Sequence, residues 1–357
     1  MSGSQDSPRA AAPAPRRGRG TSRDSLLLVA GSALNGVLAY AFFVLASRSL
    51  GAEGAAPVSV LWSYWALAGA VLTFPVQHWM IRSFTRDGHE ATVARTMPRL
   101  CAVVTVTALA AGVAAFGFRQ DLFDDGTLVY PALVAGVTLG SFLMGLVRGA
   151  LSGRGRFAAT AASLVAENGL RVVVAGAVIW MDGGAQAFGV ALVLGPLIGL
   201  VWAPSLRLGA SPSGVVVGRD SLSLVSGVAG GSLIGQAVLT ATPVLLAIVG
   251  GAPAQVTSLF LALSVWRAPY LVAMGVTPQL TSVLTSLALD GPPRRVARAS
   301  RTTALAVLGA AVVAVAIGMT ALQPVLQAMF GADVEMRPGE LAGLGVGTAA
   351  AIGNLVL

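Results

Sequence analysis

The stretch 25-SLLLVAGSALNGVLAYAFFVLA-46 contains no charged side chain over its whole length. An α-helix needs about 20 apolar residues to cross the hydrocarbon core of a bilayer, so this stretch can span a membrane. Comparable apolar runs recur along the chain of 357 residues, which is 55% hydrophobic and 11% charged and has a mean hydropathy of +0.79. Soluble domains carry about 25% charged residues. The sequence therefore predicts an all-α polytopic membrane protein.

The composition excludes several classes of function. All 23 basic residues are arginine, so the chain has no lysine for a Walker A nucleotide site or for Schiff-base chemistry. Cys101 is the single cysteine, and His78 and His89 are the only histidines, so we expect no metal, no cofactor and no catalytic residue. The basic segment 8-PRAAAPAPRRGRGTSR-23 is interpreted as part of a disordered cytoplasmic tail over 1–24, near anionic lipid, and not as a nucleic-acid site.

Ten apolar stretches qualify as spans. Their approximate bounds are 25–46, 57–80, 98–118, 128–147, 157–181, 185–206, 221–249, 256–288, 302–322 and 340–357. Eighteen of the 23 arginines lie in every second connection, and Arg48, Arg119 and Arg337 lie in the others. The positive-inside rule then predicts a cytoplasmic N-terminus. The remaining two arginines, Arg171 and Arg267, lie within spans. The arginines assigned to the connection between the fourth and fifth spans are Arg148, Arg154 and Arg156.

An internal repeat relates the first span to the seventh. An offset of 196 residues places 25-SLLLVAGSA-33 over 221-SLSLVSGVA-229, and it places Pro57 over Pro253. Copies that are separated by six spans are parallel repeats, related by an axis along the membrane normal.

The repeat predicts two lobes. We expect an N-lobe of six helices over 25–210 and a C-lobe over 211–357. The chain stops within the apolar run 351-AIGNLVL-357, so we expect the C-lobe to be truncated to about four helices.

Three segments resemble the polysaccharide (O-antigen-type) flippase and exporter family of the multidrug/oligosaccharidyl-lipid/polysaccharide flippase superfamily. They are 48-RSLGAEGAAPVSVL-61, 153-GRGRFAATAASLVAENGLRVVVA-175 and 260-FLALSVWRAPYLVAMGVTPQLTSVL-284. The first is similar to the family element R-x-L-G-x-x-x-x-G, with Ala56 at the position of the last glycine. The resemblance covers nearly the whole chain.

This resemblance implies a two-lobed flippase fold around a central cavity lined by spans one, two, seven and eight. It also implies alternating access in a bacterial cytoplasmic membrane. The implied cargo is an isoprenoid-pyrophosphate-linked glycan, and the implied partners are the lipid bilayer and glycan-assembly enzymes.

Arg267 is the leading candidate for cargo binding. It lies about 11 residues into the eighth span, near the bilayer midplane, where an arginine costs about 3 kcal/mol to insert. Pro269 and Pro278 free backbone carbonyls beside it, which is tolerated where the backbone lines a cavity. A guanidinium at such a position suits a pyrophosphate, which it binds in bidentate fashion. Pairing with a carboxylate, or snorkelling to the interface, is the alternative.

Other polar side chains complete the predicted substrate site. Ser232, Gln236 and Thr240 recur every four residues on the seventh span and form one stripe. Tyr40 corresponds to Gln236 under the repeat, and Asn35 precedes it on the first span. These groups either bind sugar hydroxyls or hydrogen-bond neighbouring helices. The predicted substrate-binding residues are Arg267, Gln236, Asn35, Tyr40, Arg48, Ser232 and Thr240.

Two further pairs of residues within the predicted spans each allow two interpretations. Glu167 and Arg171 are four residues apart on the fifth span, so we expect a structural ion pair, with a proton or ion relay as the alternative. Trp62 and Trp65 lie toward the outer end of the second span. We expect them at the membrane interface, with stacking on a sugar ring as the alternative.

The leading functional hypothesis is a flippase that moves a lipid-linked oligosaccharide from the cytoplasmic to the outer leaflet. Two transporter alternatives within the superfamily are a peptidoglycan-precursor flippase and a cation-coupled multidrug exporter. The exporter would favour acidic residues in the cavity spans, and spans one, two, seven and eight contain none. A membrane glycan polymerase or ligase is the alternative of a different class. Such enzymes need a sizeable outer loop with catalytic polar groups, and the outer connections here are short, so we expect a protein that is not an enzyme.

Overall fold

The computed structural model describes residues 20–85, 90–207, 240–268 and 293–356, and all regular elements in these ranges are helices. The all-α prediction is therefore confirmed. We use N-lobe for the described helices before residue 208 and C-lobe for those after residue 239. The N-lobe contains α1 (Gly20–Gly54), α2 (Ala56–Ala68), α3 (Phe74–Thr85), α4 (Glu90–Gly117), α5 (Arg119–Phe123), α6 (Val129–Gly153), α7 (Phe157–Trp180) and α8 (Ala185–Leu197), which continues as a 3-10 helix over Ile198–Leu206. The C-lobe contains α9 (Thr242–Ile248), α10 (253–268), α11 (Pro293–Thr320), α12 (Leu322–Phe330) and α13 (Pro338–Val356).

Seven helical segments of the described ranges are long and apolar enough to cross a membrane. They coincide with predicted spans one to six and nine, and they are Leu26–Gly54, Ala56–Phe84, Val93–Gly117, Val129–Gly153, Phe157–Trp180, Ala185–Leu206 and Arg301–Thr320. The predicted spans 221–249 and 256–288 lie partly outside the described residues. The predicted span 340–357 forms α13, which is not among the seven.

Large apolar side chains are exposed along three of the helices that could span the membrane, α1, α4 and α11. They include Leu26, Val29, Val106, Val113, Leu308 and Val312. A soluble domain would bury such a continuous apolar surface, whereas lipid tails are its natural environment. The chain is thus a multi-pass membrane protein.

The second span is interrupted, and the interruption has a local cause. A π-helical turn over Gly69–Thr73 separates α2 from α3, directly before Pro75. Proline has no amide hydrogen to donate, so the backbone ahead of it adopts a wider turn. The Thr73 hydroxyl donates to the Ser141 carbonyl of α6 at 2.8 Å. A Cβ atom at Gly145 would lie 2.9 Å from the Thr73 carbonyl oxygen, so glycine permits this close approach of α6.

Helix α6 forms the centre of the N-lobe, where it is buried by α2, α3, α4 and α8. Helix α1 packs along α7 on the side of this core. Aromatic rings fill the space between α1, α2 and α8, where Phe42 stacks on Trp62 at 5.4 Å and meets the edge of Phe188 at 6.0 Å. The N-lobe thus has a continuous core that fixes the position of α1.

The described C-lobe is held by the packing of α11 along α13 and by α10. The indole of Trp266 on α10 donates to the Leu341 carbonyl at 3.0 Å, so α10 is anchored to α13. Pro57 and Pro253, which the repeat aligned, lie in the first turn of α2 and at the start of α10. Proline is favoured there because the amide that it lacks has no intrahelical partner in any case.

Candidate functional site

The outer half of α1 makes several of the contacts between the N-lobe and the C-lobe, and α9 also packs on α2 and α5. We call the side of Arg48 the outer side, following the orientation predicted from the arginines. The Tyr40 hydroxyl donates to the Ser264 carbonyl of α10 at 2.5 Å, and the Phe43 ring lies 4.6 Å from the ring of Phe260. These contacts connect residues more than 200 positions apart in the sequence. We call this set of contacts, together with that of Arg48, the outer seam.

Arg48 makes the outermost contact of the seam. Its Nε donates to the Met329 carbonyl at 3.0 Å, and its Nη2 donates to the Ala328 carbonyl at 2.5 Å. Both carbonyls belong to the last turn of α12, which ends at Phe330. Arg48 thus contacts the backbone of the C-lobe, and its role in substrate binding stays a prediction.

The inner half of α1 packs within the N-lobe. Asn35 accepts a hydrogen bond of 2.8 Å from the Asn168 amide of α7. A Cβ atom at Gly31 would lie 2.8 Å from the Cβ of Ala161, so α1 and α7 are in tight contact there. Asn35 therefore hydrogen-bonds a neighbouring helix, and its role in substrate binding stays a prediction.

Arg267 lies on the inner side of the seam. It follows Ser264 by three residues on α10, about 4.5 Å further along the helix axis. Its side chain is partly buried, and Tyr40 contacts the same helix about one turn earlier, at Ser264. The structure thus brings together Arg267 and Tyr40, two of the predicted substrate-binding residues, at the place where α1 and α10 meet.

The remaining predicted substrate residues fall elsewhere. Thr240 is buried just before α9. Gln236 and Ser232 lie outside the described residues, as do Pro269 and Pro278.

A buried network of charged side chains occupies the N-lobe between α6 and α7. Arg171 Nη2 donates to Glu167 Oε1 at 2.6 Å, so the two residues that were predicted to pair are in contact. Arg148 Nη2 donates to the other carboxylate oxygen at 2.5 Å. Arg171 Nη1 also donates to Asn168 Oδ1 at 2.8 Å, which links the network through Asn35 to α1. Both oxygens of Glu167 are therefore used, and the network holds two cations for one anion.

Arg148 is the member of this network that the sequence did not reveal. We assigned it to the cytoplasmic connection after the fourth span, but it lies inside α6, which continues to Gly153, and only 8% of it is exposed. Its carboxylate partner, Glu167, is 19 residues away on the next helix. A span boundary placed a few residues later would have left Arg148 in the membrane and would have indicated that it needs a partner.

Both tryptophans of the second span lie against the lobe interior, which corrects their predicted interfacial position. Trp62 is 6% exposed and packs edge-on against Phe43 at 4.3 Å. The guanidinium of Arg171 lies 4.4 Å from the ring centre of Trp65 and 5.3 Å from that of Trp62. The rings thus supply a cation–π surface that helps to keep a charge inside the protein.

A cavity of about 540 Å³ opens beside the outer ends of α2 and α10. Phe123 and Tyr130 stack on each other at 4.5 Å and line it, and Pro57 and Pro253 contribute the edges of the two lobes. Its acidic lining residues are Glu53, Asp121, Asp124 and Asp125.

Asp125 is held in a defined position in this outer loop. Its carboxylate accepts the Thr127 amide at 2.7 Å and the Gln186 side-chain amide at 2.6 Å. These two hydrogen bonds, chiefly that from the Thr127 backbone, lower the pKa of the Asp125 carboxyl.

Comparison with solved structures establishes what kind of fold surrounds these residues. The chain matches the outward-facing conformation of a multidrug resistance MATE family transporter of the MOP superfamily, with a TM-score of 0.56 and 19% identity, over 94% of this chain and 82% of that chain. It also matches the crystal structure of a mutant of the Vibrio cholerae MATE transporter VcmN, with a TM-score of 0.51 and 14% identity, over 95% of this chain and 85% of that chain.

The chain has the MATE transporter fold. This is a fold of the superfamily to which the sequence resemblance pointed, whereas the polysaccharide branch of that superfamily stays a prediction. No protein-family model and no curated protein sequence matches the chain. Both matched structures are transporters.

Proposed function

We propose that this chain is an exporter of the cell membrane that works by alternating access. The observation that carries the proposal is the outer seam: in a chain with the MATE fold, the N-lobe and the C-lobe meet along the outer half of α1 at Tyr40, Phe43 and Arg48, and α9 packs beside this seam on α2 and α5. Rocking of one lobe against the other around a central site is the usual way in which such repeats transport cargo.

For the cargo, the comparisons support the multidrug alternative better than the flippase. One matched structure is a multidrug resistance transporter. Under this proposal the cargo is a drug-like amphiphile, and an ion gradient supplies the energy. Glu167 is the sole acidic residue inside the predicted spans, apart from Glu340 at the edge of the tenth. Coupling through a carboxylate in the membrane would therefore have to release the Glu167 oxygens from Arg148 and Arg171.

The test of this cargo is efflux from reconstituted vesicles. Purified protein is reconstituted into liposomes that contain a fluorescent cationic dye. A proton or sodium gradient is then imposed across the liposome membrane. We expect gradient-driven transport that empty liposomes lack, together with lower drug tolerance in cells without the gene. Absence of dye transport under either gradient, with unchanged tolerance, contradicts the multidrug proposal.

A lipid-linked glycan is the second candidate cargo, and the charge of the described spans favours it. Arg148 and Arg171 share a single carboxylate, Glu167, so this buried network carries a net positive charge. Positive charge repels a cationic drug and attracts a pyrophosphate. The same chemistry applies to a peptidoglycan precursor, so the two lipid-linked cargoes form one class in this proposal, and glycan-assembly enzymes would be its partners.

Lipid extracts distinguish this second cargo from the first. Cells without the gene should accumulate an isoprenoid-pyrophosphate glycan on the inner leaflet, and the wild-type gene should remove it. Under this proposal Arg267→Gln blocks the rescue, whereas Arg119→Gln, in the outer connection, supports it. Full rescue by Arg267→Gln at a normal protein level excludes Arg267 as the pyrophosphate ligand.

A further inference from the structure

Arg48 and the end of α12 form a contact between the lobes that no local rule of helix structure requires. The last carbonyls of a helix lack intrahelical partners, and a nearby cation satisfies them and matches the negative end of the helix dipole. Such a cation usually comes from the same helix. Here Arg48 is supplied by α1, 280 residues earlier in the chain than Ala328.

The contacts of the seam differ in their access to water. Phe43 and Phe260 are both buried. Tyr40 and Ser264 are partly buried, about two helical turns further into the membrane than Arg48. Arg48 itself is exposed. Water can therefore replace its carbonyl acceptors at small cost, so the outermost contact is the one that can break first.

The backbone conformation at the end of α1 places Arg48 beside α12. Gly51 has a φ of 70°, a left-handed value that favours glycine, and it ends the regular part of the helix three residues after Arg48. A Cβ atom at Gly51 would lie 3.6 Å from Asp333 Oδ2, so the loop after α12 packs against the same bend. Arg48 thus lies on the last regular turn, where its side chain reaches the end of α12.

We propose that Arg48 is the outer latch of the transporter: its two hydrogen bonds to the carbonyls of Ala328 and Met329 hold the lobes closed on the outer side, and they break when the outer side opens. The meaning of the latch rests on the proposed transport function. The contact itself does not, because it can be measured as a distance between the lobes.

Spin-label distances test the latch in the full chain. Cys101→Ser removes the single cysteine, and Leu128→Cys and Glu335→Cys then place one label on the outer side of each lobe. The parent should show one main short distance. Arg48→Gln should add a longer distance, with the ratio of open to closed molecules rising about threefold to tenfold, because two charge-assisted hydrogen bonds are lost at an exposed site.

Arg119→Gln is the matched control. Arg119 is also an outer arginine that donates to two backbone carbonyls, those of Phe116 at 2.9 Å and Gly126 at 3.3 Å, but both belong to its own lobe. The Arg119→Gln substitution should leave the distances between the two spin labels unchanged. Arg48→Lys keeps the charge with fewer donors and should give an intermediate ratio. If Arg48→Gln fails to fold, the same comparison is made with Arg48→Lys.

Two outcomes overturn the latch. One is a parent-like distance distribution in the Arg48 variants, and the other is an equal opening in Arg119→Gln. The distances are measured without cargo, so the two proposals fail separately. A shift in a protein that transports nothing refutes the proposed function and leaves the latch, whereas transport without a shift refutes the latch alone.

Discussion

The guanidinium of Arg171 lies 4.4 Å from the ring centre of Trp65, and its Nη2 donates to Glu167 at 2.6 Å. Arg171 is fully buried, so both contacts replace water around a permanent charge. Arg148 approaches the same carboxylate from α6. Glu167 is therefore the one anion that keeps two cations inside the N-lobe.

Removal of that anion should destabilise the protein far more than removal of either cation. Glu167→Gln leaves Arg148 and Arg171 as uncompensated neighbouring charges, and breaking a buried pair in this way costs about 3–5 kcal/mol. Arg148→Gln leaves the pair of Glu167 and Arg171 intact and should cost less than half as much. Thermal unfolding of the purified protein in detergent measures both. An equal loss of stability in the two variants would show that the carboxylate is not the centre of the network.

The fit of Arg171 against α8 gives a second prediction. A Cβ atom at Gly195 would lie 2.5 Å from Arg171 Nε and 2.9 Å from its Cγ. Gly195→Ala should therefore displace the guanidinium and destabilise the protein by about 1–3 kcal/mol. Gly176→Ala on α7, where a Cβ would have no neighbour within 4 Å, is the control and should be neutral or stabilising by up to about 1 kcal/mol. The midpoints of thermal unfolding of the two variants are compared with that of the parent. A Gly195→Ala protein as stable as the parent contradicts the close contact between Gly195 and Arg171.

The two polar contacts of the outer seam should act independently. Tyr40→Phe keeps the ring and removes only the donor to Ser264, so the open-to-closed ratio should rise about threefold. Combined with Arg48→Gln, the two free-energy changes should add to within about 0.5 kcal/mol, because the residues share no partner. The spin-label ratios of the two single variants and the double variant measure the coupling. A double variant no more open than Arg48→Gln would mean that the lobes already separate when the outermost contact breaks.

The outer loop should respond to acid in a defined direction. The lowered pKa of Asp125 means that its stabilising contribution is present above the unfolded pKa, near the ordinary value of 3.8, and is lost as the pH falls through the lower folded value. Protection of the Thr127 amide from hydrogen exchange should fall over this window. Asp125→Asn should exchange about threefold faster near neutral pH and lose the pH dependence. Asp121→Asn, in the neighbouring helix α5, should behave like the parent. A pH profile unchanged in Asp125→Asn would assign the protection to another group.

Structural features whose cause lies within one helix could be predicted from the sequence. Seven apolar runs gave helices, with bounds that differ from the predicted ones by several residues. The spacing of Glu167 and Arg171 predicted their contact, and the break in the second span has its cause in the neighbouring Pro75. In each case the relevant interaction spans no more than a few residues.

Contacts between helices that are far apart in the sequence could not be predicted in this way. Nothing in the sequence indicated that the Tyr40 hydroxyl donates to a carbonyl 224 residues later, and its role in cargo binding stays a prediction. Arg148 was expected at the membrane surface, and a carboxylate on the next helix draws it inside. An apolar sequence carries little information on which helices are neighbours, since lipid and protein surroundings select the same side chains.

The spacing of Glu167 and Arg171 also bears on how the chain enters the membrane. An arginine alone at the centre of a helix costs about 3 kcal/mol on insertion, but α7 carries its own carboxylate one turn away and can insert as a neutral unit. Arg148 gains its counter-charge only when α6 and α7 lie side by side. These two helices are consecutive in the chain, so synthesis delivers the carboxylate soon after the arginine that requires it. Insertion of the α6–α7 hairpin as a unit follows from that order.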